Sequence, residues 1–320
     1  MKKMRRRYSV VIPLYNKEPH IGDTLESVLS QTYTDFEVIV VNDASTDRSL
    51  DIVNQFVDER IRVVHRDRPG PGGYAARNRG INEALYDWVA FLDADDTWEP
   101  SFLTRIDELI EDTQGVRFVS TGWYEESGKD GKRINSFCKT NQDKGIQVLD
   151  LADYLISSIR NEGPVCSSVA VVDKSLIERA GLFPEDRCKF GGDIDTWFRI
   201  MLAADKLAVA TEPMATYNKE AVNMVTKKNK LQIIETCVRK TVSQLLEKKQ
   251  VEYPRLLKQF VNHYQYLQIR KKGMAANLNP KDLEFVYPLV RPFTYFLFYS
   301  FSLLPNSVQY KIVKIYNTLK

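Results

Sequence analysis

Residues 8–47 read YSVVIPLYNKEPHIGDTLESVLSQTYTDFEVIVVNDASTD, and this stretch decides the fold. Tyr8–Leu14 and Phe36–Asn42 are short, continuous, β-branched apolar runs, the pattern of strands buried on both faces. Between them Pro19–Gln31 has the spacing of a helix. The unit repeats outward. Ile61–His65 and Trp88–Leu92 read as further strands, and Asp47–Val57, Tyr74–Leu85 and Pro100–Glu111 as the helices between. Strand–helix alternation at this interval predicts an α/β domain, a mostly parallel sheet with helices on both faces. Beyond Gly115 the pattern loosens. The polar, Gly-containing residues 124–147 read as an irregular loop, Val165–Val172 as a strand and Asp193–Ala204 as a helix.

The chain has 320 residues and a net charge of only +3, which hides an asymmetry. Residues 227–320 hold 17 Lys/Arg against 5 Asp/Glu, and residues 1–226 hold 28 against 37. An acidic body and a basic, helical tail predict two regions, 1–222 and 223–320, the second facing something anionic. Hydrophobic residues make up 43% of the chain, enough for a sizeable core. Cys138, Cys166, Cys188 and Cys237 are widely spaced with no C-x-x-C, which predicts reduced thiols and neither a zinc site nor a disulfide framework. His20, His65 and His263 are scattered and read as structural or surface residues. The basic start, Met1–Arg7, is followed by too short an apolar run for an export signal, and the reading is cytoplasmic.

Chemistry concentrates where strands end. In an open parallel sheet, ligands bind beyond the carboxyl ends of the strands. Asp93-Ala94-Asp95-Asp96 directly follows one such strand, and its carboxylates repel one another unless a cation neutralises them. Oxygen-only ligands suit Mg²⁺ or Mn²⁺ bridging protein to phosphate, while an acidic helix cap is the plain alternative. Asp43 ends another buried strand on the same edge, placed to accept an N–H from a base. The Gly-rich stretch Pro69–Gly73 opens a helix carrying Arg77, an arrangement that brings backbone N–H groups and a guanidinium to phosphates. Neither G-x-G-x-x-G after a strand nor a P-loop signature is present.

With these motifs assembled, the chain resembles the family-2 glycosyltransferases, inverting sugar transferases of the GT-A fold. The resemblance rests on IPLYN (Ile12–Asn16), VNDASTD (Val41–Asp47), AARNRGI (Ala75–Ile81) and FLDADD (Phe91–Asp96), in order and in register, and covers about residues 8–220. It implies a bacterial cell-envelope type of enzyme, with Pro13, Tyr15 and Asn16 lining the nucleotide pocket and Asp43 on the base. Arg77 falls on base or phosphate, Asp93 near the ribose and Asp95 on a metal at the diphosphate. Asp96 is a third carboxylate without a firm role. Phe190–Arg199 (FGGDIDTWFR) resembles the family's acidic element at a helix start. The spacing to Trp197 and Arg199 implies Asp193 as catalytic base; Gly192 stands where Glu is more usual, and Asp195 is the rival.

The implied reaction moves a sugar from a nucleoside-diphosphate donor, UDP on family grounds, to a hydroxyl of a glycan, lipid-linked or envelope acceptor. Trp123 and Tyr124 either stack on that acceptor or lie buried in the sheet. The rival readings are a nucleotidyltransferase and a catalytically silent sugar-nucleotide-binding scaffold. Nucleic acid as a partner is disfavoured by the acidic body. Residues 285–304 hold one charge, and the uninterrupted apolar run Phe293–Leu304 is 12 residues, too short to span a bilayer. As a helix it lies either in the membrane interface, at the inner face of the cell membrane, or against the core or a second copy in a homo-oligomer.

Overall fold

The computed structural model describes residues 5–128, 131–187, 191–222, 233–249 and 251–318. Cys188 and Phe190, singled out in the sequence, lie outside these. The chain divides into two compact units, Met1–Met224 and Val225–Lys320.

The first unit is built on a ten-stranded sheet: β1 Tyr8–Leu14, β2 Phe36–Asn42, β3 Ile61–His65, β4 Trp88–Phe91, β5 Thr97–Trp98, β6 Phe118–Ser127, β7 Gly131–Ile134, β8 Ile146–Leu149, β9 Val171–Asp173 and β10 Leu207–Asn218. The main path runs β3-β2-β1-β4-β9-β6-β10-β5, with β7 on β6 and β8 on β10. Strands β3, β2, β1 and β4 are parallel neighbours, and every residue of β2 is buried, as a strand covered on both faces requires. From β9 onward the sheet is mixed: β9 runs antiparallel to both β4 and β6, while β10 is parallel to β6.

Helices flank the sheet: α1 Ile21–Leu29, α2 Ser49–Val53, α3 Tyr74–Glu83, α4 Phe102–Asp112, α5 Ser136–Asn141, α6 Leu151–Ile159, α7 Lys174–Arg179 and α8 Gly192–Ala204. Helix α1 buries Ile21, Thr24, Leu25 and Val28, the i, i+3, i+4, i+7 stripe of an amphipathic helix. Helix α4 buries Phe102, Leu103, Ile106, Leu109 and Ile110 in the same way. The apolar ones among these residues share one core cluster with Val10, Ile12, Val38, Val40 and Ala90 of the parallel strands.

Helix α3 lies unusually close to β1. A Cβ on Gly80 would stand 2.3 Å from Val11 Cγ1, so only glycine fits there. Gly80→Ala is expected to cost about 1–3 kcal/mol by overpacking, seen as a lower urea midpoint with unchanged slope. An unshifted midpoint would show that α3 can move away from the sheet.

Two local expectations change. The polar stretch 124–147 is not an irregular loop: β6 runs on to Ser127 and pairs with β7, and α5 and β8 follow. An exposed hairpin needs no apolar alternation, so the sequence carries no period-2 signal. The strand expected over Val165–Val172 is a 3-10 turn, Ser167–Val169, followed by the short β9.

The second unit, described by itself, has the helices Cys237–Glu247, Pro254–Met274, Pro292–Ser302 and Asn306–Thr318. Its small core gathers Tyr266, Ile269, Leu278, Leu283 and Val286, with Tyr295, Phe298 and Phe301 packed on it. The apolar run Phe293–Leu304 is therefore helical to Ser302, with one side on this core. Cys138 and Cys166 are free thiols, but Cys237 is disulfide-bonded. The expectation of reduced thiols fails there, because spacing along the chain says nothing about distance in the fold.

Candidate active site

Parallel register brings the ends of β1, β2 and β4 to one edge. Leu14 stands beside Asn42, and the Asp43 N–H donates to the Leu14 carbonyl at 2.8 Å. On the other side the Leu92 N–H donates to Val11 O at 3.2 Å, so Asp93 emerges at that edge too. The expected residues Asp43, Asp93 and Asp95 thus lie on the loops after β2 and β4, the two strands that flank β1.

Asp43 is buried and already partnered. Arg66, just past β3, donates Nη1 to one carboxylate oxygen, and the Gly70 N–H donates to the other at 3.0 Å. It fixes the start of the Gly-rich loop, in which Gly72 and Gly73 hold left-handed backbone (φ 63° and 67°) before α3 begins. Arg77, on the first turns of α3, reaches Asp93 rather than Asp43. Its Nη2 donates to Asp93 Oδ1 and its Nη1 to the Gly72 carbonyl at 2.8 Å. Burial works against the Arg77 charge, but Asp93 and then Asp193 more than offset it, and its pKa is raised. Its buried Nε has no hydrogen-bond partner among the described residues, leaving a donor that a ligand or water can take.

Asp95 meets Lys17, whose Nζ donates to Asp95 Oδ2 at 2.6 Å and to the Val222 carbonyl at 2.7 Å. Burial raises the Asp95 pKa and Asp93 adds to this, while Lys17 opposes it. Asp96 turns inward and is 1% exposed. It accepts from Ser168 Oγ at 2.5 Å and from the Asn218 N–H at 2.9 Å, and burial, then Asp93 and Asp95, push its pKa well up. Asp96 therefore ties β10 to the acidic turn.

Pro13 is part-buried near Gly73, and Tyr15 is exposed. Asn16 braces the loop after β2: its Oδ1 accepts from the Thr46 N–H at 2.7 Å, and its own N–H donates to Ser45 Oγ at 3.2 Å. Trp123 is 8% exposed and belongs to the main core cluster, the buried one of its two expected places. It ends the buried part of β6, and its ring faces the core side of the sheet.

The first turn of α8 carries Asp193 and Asp195, and the structure separates them. Asp195 is 1% exposed and accepts from Arg199 Nε at 2.8 Å; Arg199 in turn donates to the Ala180 carbonyl and to Leu182 O at 2.6 Å. This ion pair pins the turn after α7. Asp195→Asn leaves Arg199 buried opposite a neutral amide and is expected to cost about 3–5 kcal/mol of stability, read by urea unfolding. A cost under about 1 kcal/mol would contradict this structural role. Asp193 is only part-buried; burial raises its pKa, the Ile194 N–H and Arg77 lower it, and Asp93 raises it further. Asp193 therefore shares one electrostatic neighbourhood with the Arg77–Asp93 pair.

Gly192 has a local reason. A Cβ there would stand 2.6 Å from the Tyr74 ring and 2.9 Å from Pro184 Cγ, and the Gly192 N–H donates to Tyr74 Oη at 2.9 Å. The tyrosine ring fills the space a larger residue would take, and it joins the Gly-rich loop to the start of α8. Asn78 adds to this joint, donating to Phe183 O at 2.9 Å and accepting from the Phe183 N–H at 2.8 Å. Lys17, Arg66, Tyr74 and Ser168 were missed in the sequence. Only Arg66 carried a usable signal, its place just beyond the carboxyl end of a parallel strand.

The chain is similar to several known proteins. Residues 9–159 match the family model described as glycosyl transferase family 2. The chain is 38% identical over 121 residues to the uncharacterized glycosyltransferase EpsJ of Bacillus subtilis (strain 168), covering 37% of this chain and 34% of EpsJ. It is 38% identical over 131 residues to TuaG of the same organism, a glycosyltransferase whose name assigns it provisionally to teichuronic acid biosynthesis; 40% of this chain and 51% of TuaG are covered. The match thus spans from a third to a half of the length of these relatives. Among solved structures, Staphylococcus aureus TarS 1–349 in complex with UDP-GlcNAc superposes with a TM-score of 0.75 at 19% identity, over 98% of this chain and 92% of that one, a likeness of fold. On the motifs, the sheet and these matches, residues 9–159 carry a glycosyltransferase family 2 domain, and the first unit has a GT-A-like fold.

Proposed function

We propose that the chain is a metal-dependent, inverting glycosyltransferase that moves a hexosyl or N-acetylhexosaminyl group from a UDP-sugar to a hydroxyl of an envelope glycan or lipid-linked acceptor. The observation that carries this reading is the convergence of Asp43, Arg77, Asp93 and Asp95 on one sheet edge, with Asp193 in the same electrostatic neighbourhood. UDP as nucleotide is supported by the UDP-GlcNAc complex of TarS, and an envelope acceptor by the name of TuaG.

The residues present fit a divalent ion that arrives with its donor. Among the described residues no group of three or more His, Cys, Asp or Glu side chains is arranged to hold a metal alone. Asp95, with Asp93 beside it, offers oxygen ligands only, and Mg²⁺ or Mn²⁺ commonly takes one or two carboxylates and completes its shell with phosphate oxygens and water. Such an ion would neutralise charge on the departing diphosphate. Lys17 pairs with Asp95 at 2.6 Å and would give up that contact to a bound metal.

The chain's own groups then divide the work. The Gly-rich loop and the Arg77 guanidinium bind phosphate oxygens and stabilise the negative charge that grows as the anomeric C–O bond breaks. Asp193 accepts the proton of the acceptor hydroxyl as its oxygen attacks the anomeric carbon from the opposite side. The nucleoside diphosphate leaves with the bonding electron pair, and the configuration inverts. Isothermal titration with UDP, GDP and ADP, each with and without Mn²⁺, tests the donor half. UDP binding strengthened by Mn²⁺ is expected; equal binding of all three, or none, would overturn it.

A further inference from the structure

The C-terminal unit carries an apolar surface that its own residues leave uncovered. The helix Pro292–Ser302 buries only Ser302, and the helix Asn306–Thr318 buries only Gln309. On the first, Phe293, Phe296 and Leu297 are 78%, 67% and 57% exposed, and their i, i+3, i+4 spacing puts them on one face. On the second, Val308, Ile312 and Ile315 are exposed at intervals of four and three, again one stripe. Gln309 anchors this helix, accepting from the Leu278 N–H at 3.1 Å and donating to the Leu278 carbonyl at 2.8 Å.

Charge identifies what this surface meets. From Phe285 to Lys320 the sequence holds Arg291, Lys311, Lys314 and Lys320 and not one Asp or Glu. Lys311 and Lys314 are exposed and alternate with the stripe residues Ile312 and Ile315. A two-fold contact between copies would set this wholly cationic stretch against itself, because such a contact uses the same patch twice. Apolar stripes mixed with cations, with no anions, match a layer that is greasy below and anionic above. No helix among the described residues is long and apolar enough to cross a membrane. The helix Pro292–Ser302 spans about 16 Å, against roughly 30 Å of hydrocarbon, so it suits a position in the plane of the interface.

We propose that the helices Pro292–Ser302 and Asn306–Thr318 seat the protein on a bilayer containing anionic lipid. Phe293, Phe296, Leu297, Ile312 and Ile315 enter the acyl boundary, and Arg291, Lys311 and Lys314 meet lipid phosphates. The proposal is independent of the transferase reading, and either can fail alone.

Vesicle sedimentation of the full chain tests it, with phosphatidylcholine alone and with phosphatidylcholine plus phosphatidylglycerol. The chain is expected to sediment with the mixed vesicles and to stay in solution with the neutral ones. Lys311→Glu with Lys314→Glu is expected to lower the partition coefficient at least about tenfold. Phe296→Ser with Leu297→Ser is expected to do the same, and both side chains are exposed enough for the melting temperature to hold. Equal sedimentation with both vesicles, or none, overturns the proposal. So does a chain that is dimeric by light scattering and becomes monomeric in Phe296→Ser with Leu297→Ser, which would make the face a contact between copies.

Discussion

Asp193→Asn is expected to lower sugar transfer by about 10²–10⁴-fold while leaving UDP binding within a factor of two or so. The side chain keeps its shape and loses only the ability to take a proton. Burial holds the Asp193 pKa above the ordinary carboxylate value, so the wild-type rate should fall as pH drops through that raised value, and this acid limb should vanish in the variant. The stability sign is opposite. With the folded pKa above the unfolded one, the carboxyl favours folding when protonated, and this contribution is lost as pH rises through the folded value. At neutral pH the ionised group costs stability, so Asp193→Asn should melt no lower than wild type. Asp195→Asn, which breaks the pair with Arg199, should melt well below both. A variant that keeps full transfer would remove Asp193 from the chemistry.

Asp95→Ala is expected to cost about 10²–10³-fold in turnover and to abolish the difference between Mn²⁺ and EDTA. Two effects combine in it. A metal ligand disappears, and Lys17 loses the carboxylate it contacts at 2.6 Å. Lys17→Met separates the two. It leaves Asp95 with no ammonium competing for its oxygen, so Mn²⁺ should bind more tightly when titrated by calorimetry without any donor. Unchanged metal affinity in Lys17→Met would show that the Lys17–Asp95 pair does not compete with a cation.

The parallel half of the sheet was plain in the sequence because each strand is a compact apolar run with its own helix. Tyr8–Leu14, Phe36–Asn42 and Ile61–His65 end where they were expected to end. The mixed half was not. The placing of β9 between β4 and β6 is fixed by pairings such as Val89 with Val172, over 80 residues apart, and such pairing has no local signature. The β6–β7 hairpin is polar because it is exposed, and polarity alone reads as a loop.

Within the site the same division holds. Asp43, Asp93 and Asp95 were legible because strand ends in a parallel sheet share an edge. Their partners were not. Lys17 finds Asp95 across 78 positions, and Ser168 finds Asp96 across 72. Trp123 was ambiguous because an indole suits a sugar platform and a core equally; which one it is depends on the face of β6 it occupies. Gly192 looked like a departure from the family pattern, and its cause, the ring of Tyr74, lies more than a hundred residues earlier.

The central claim is that the acidic sheet edge is a metal-dependent UDP-sugar site with an inverting base opposite. Proton NMR of slow donor hydrolysis tests it most directly, with a panel of α-configured UDP-sugars, Mn²⁺ or EDTA, and wild type beside Asp95→Ala. Wild type with Mn²⁺ is expected to release one sugar of the panel first as its β-anomer, and EDTA or Asp95→Ala to stop the release. Release as the α-anomer, or hydrolysis that survives both EDTA and Asp95→Ala, would contradict it.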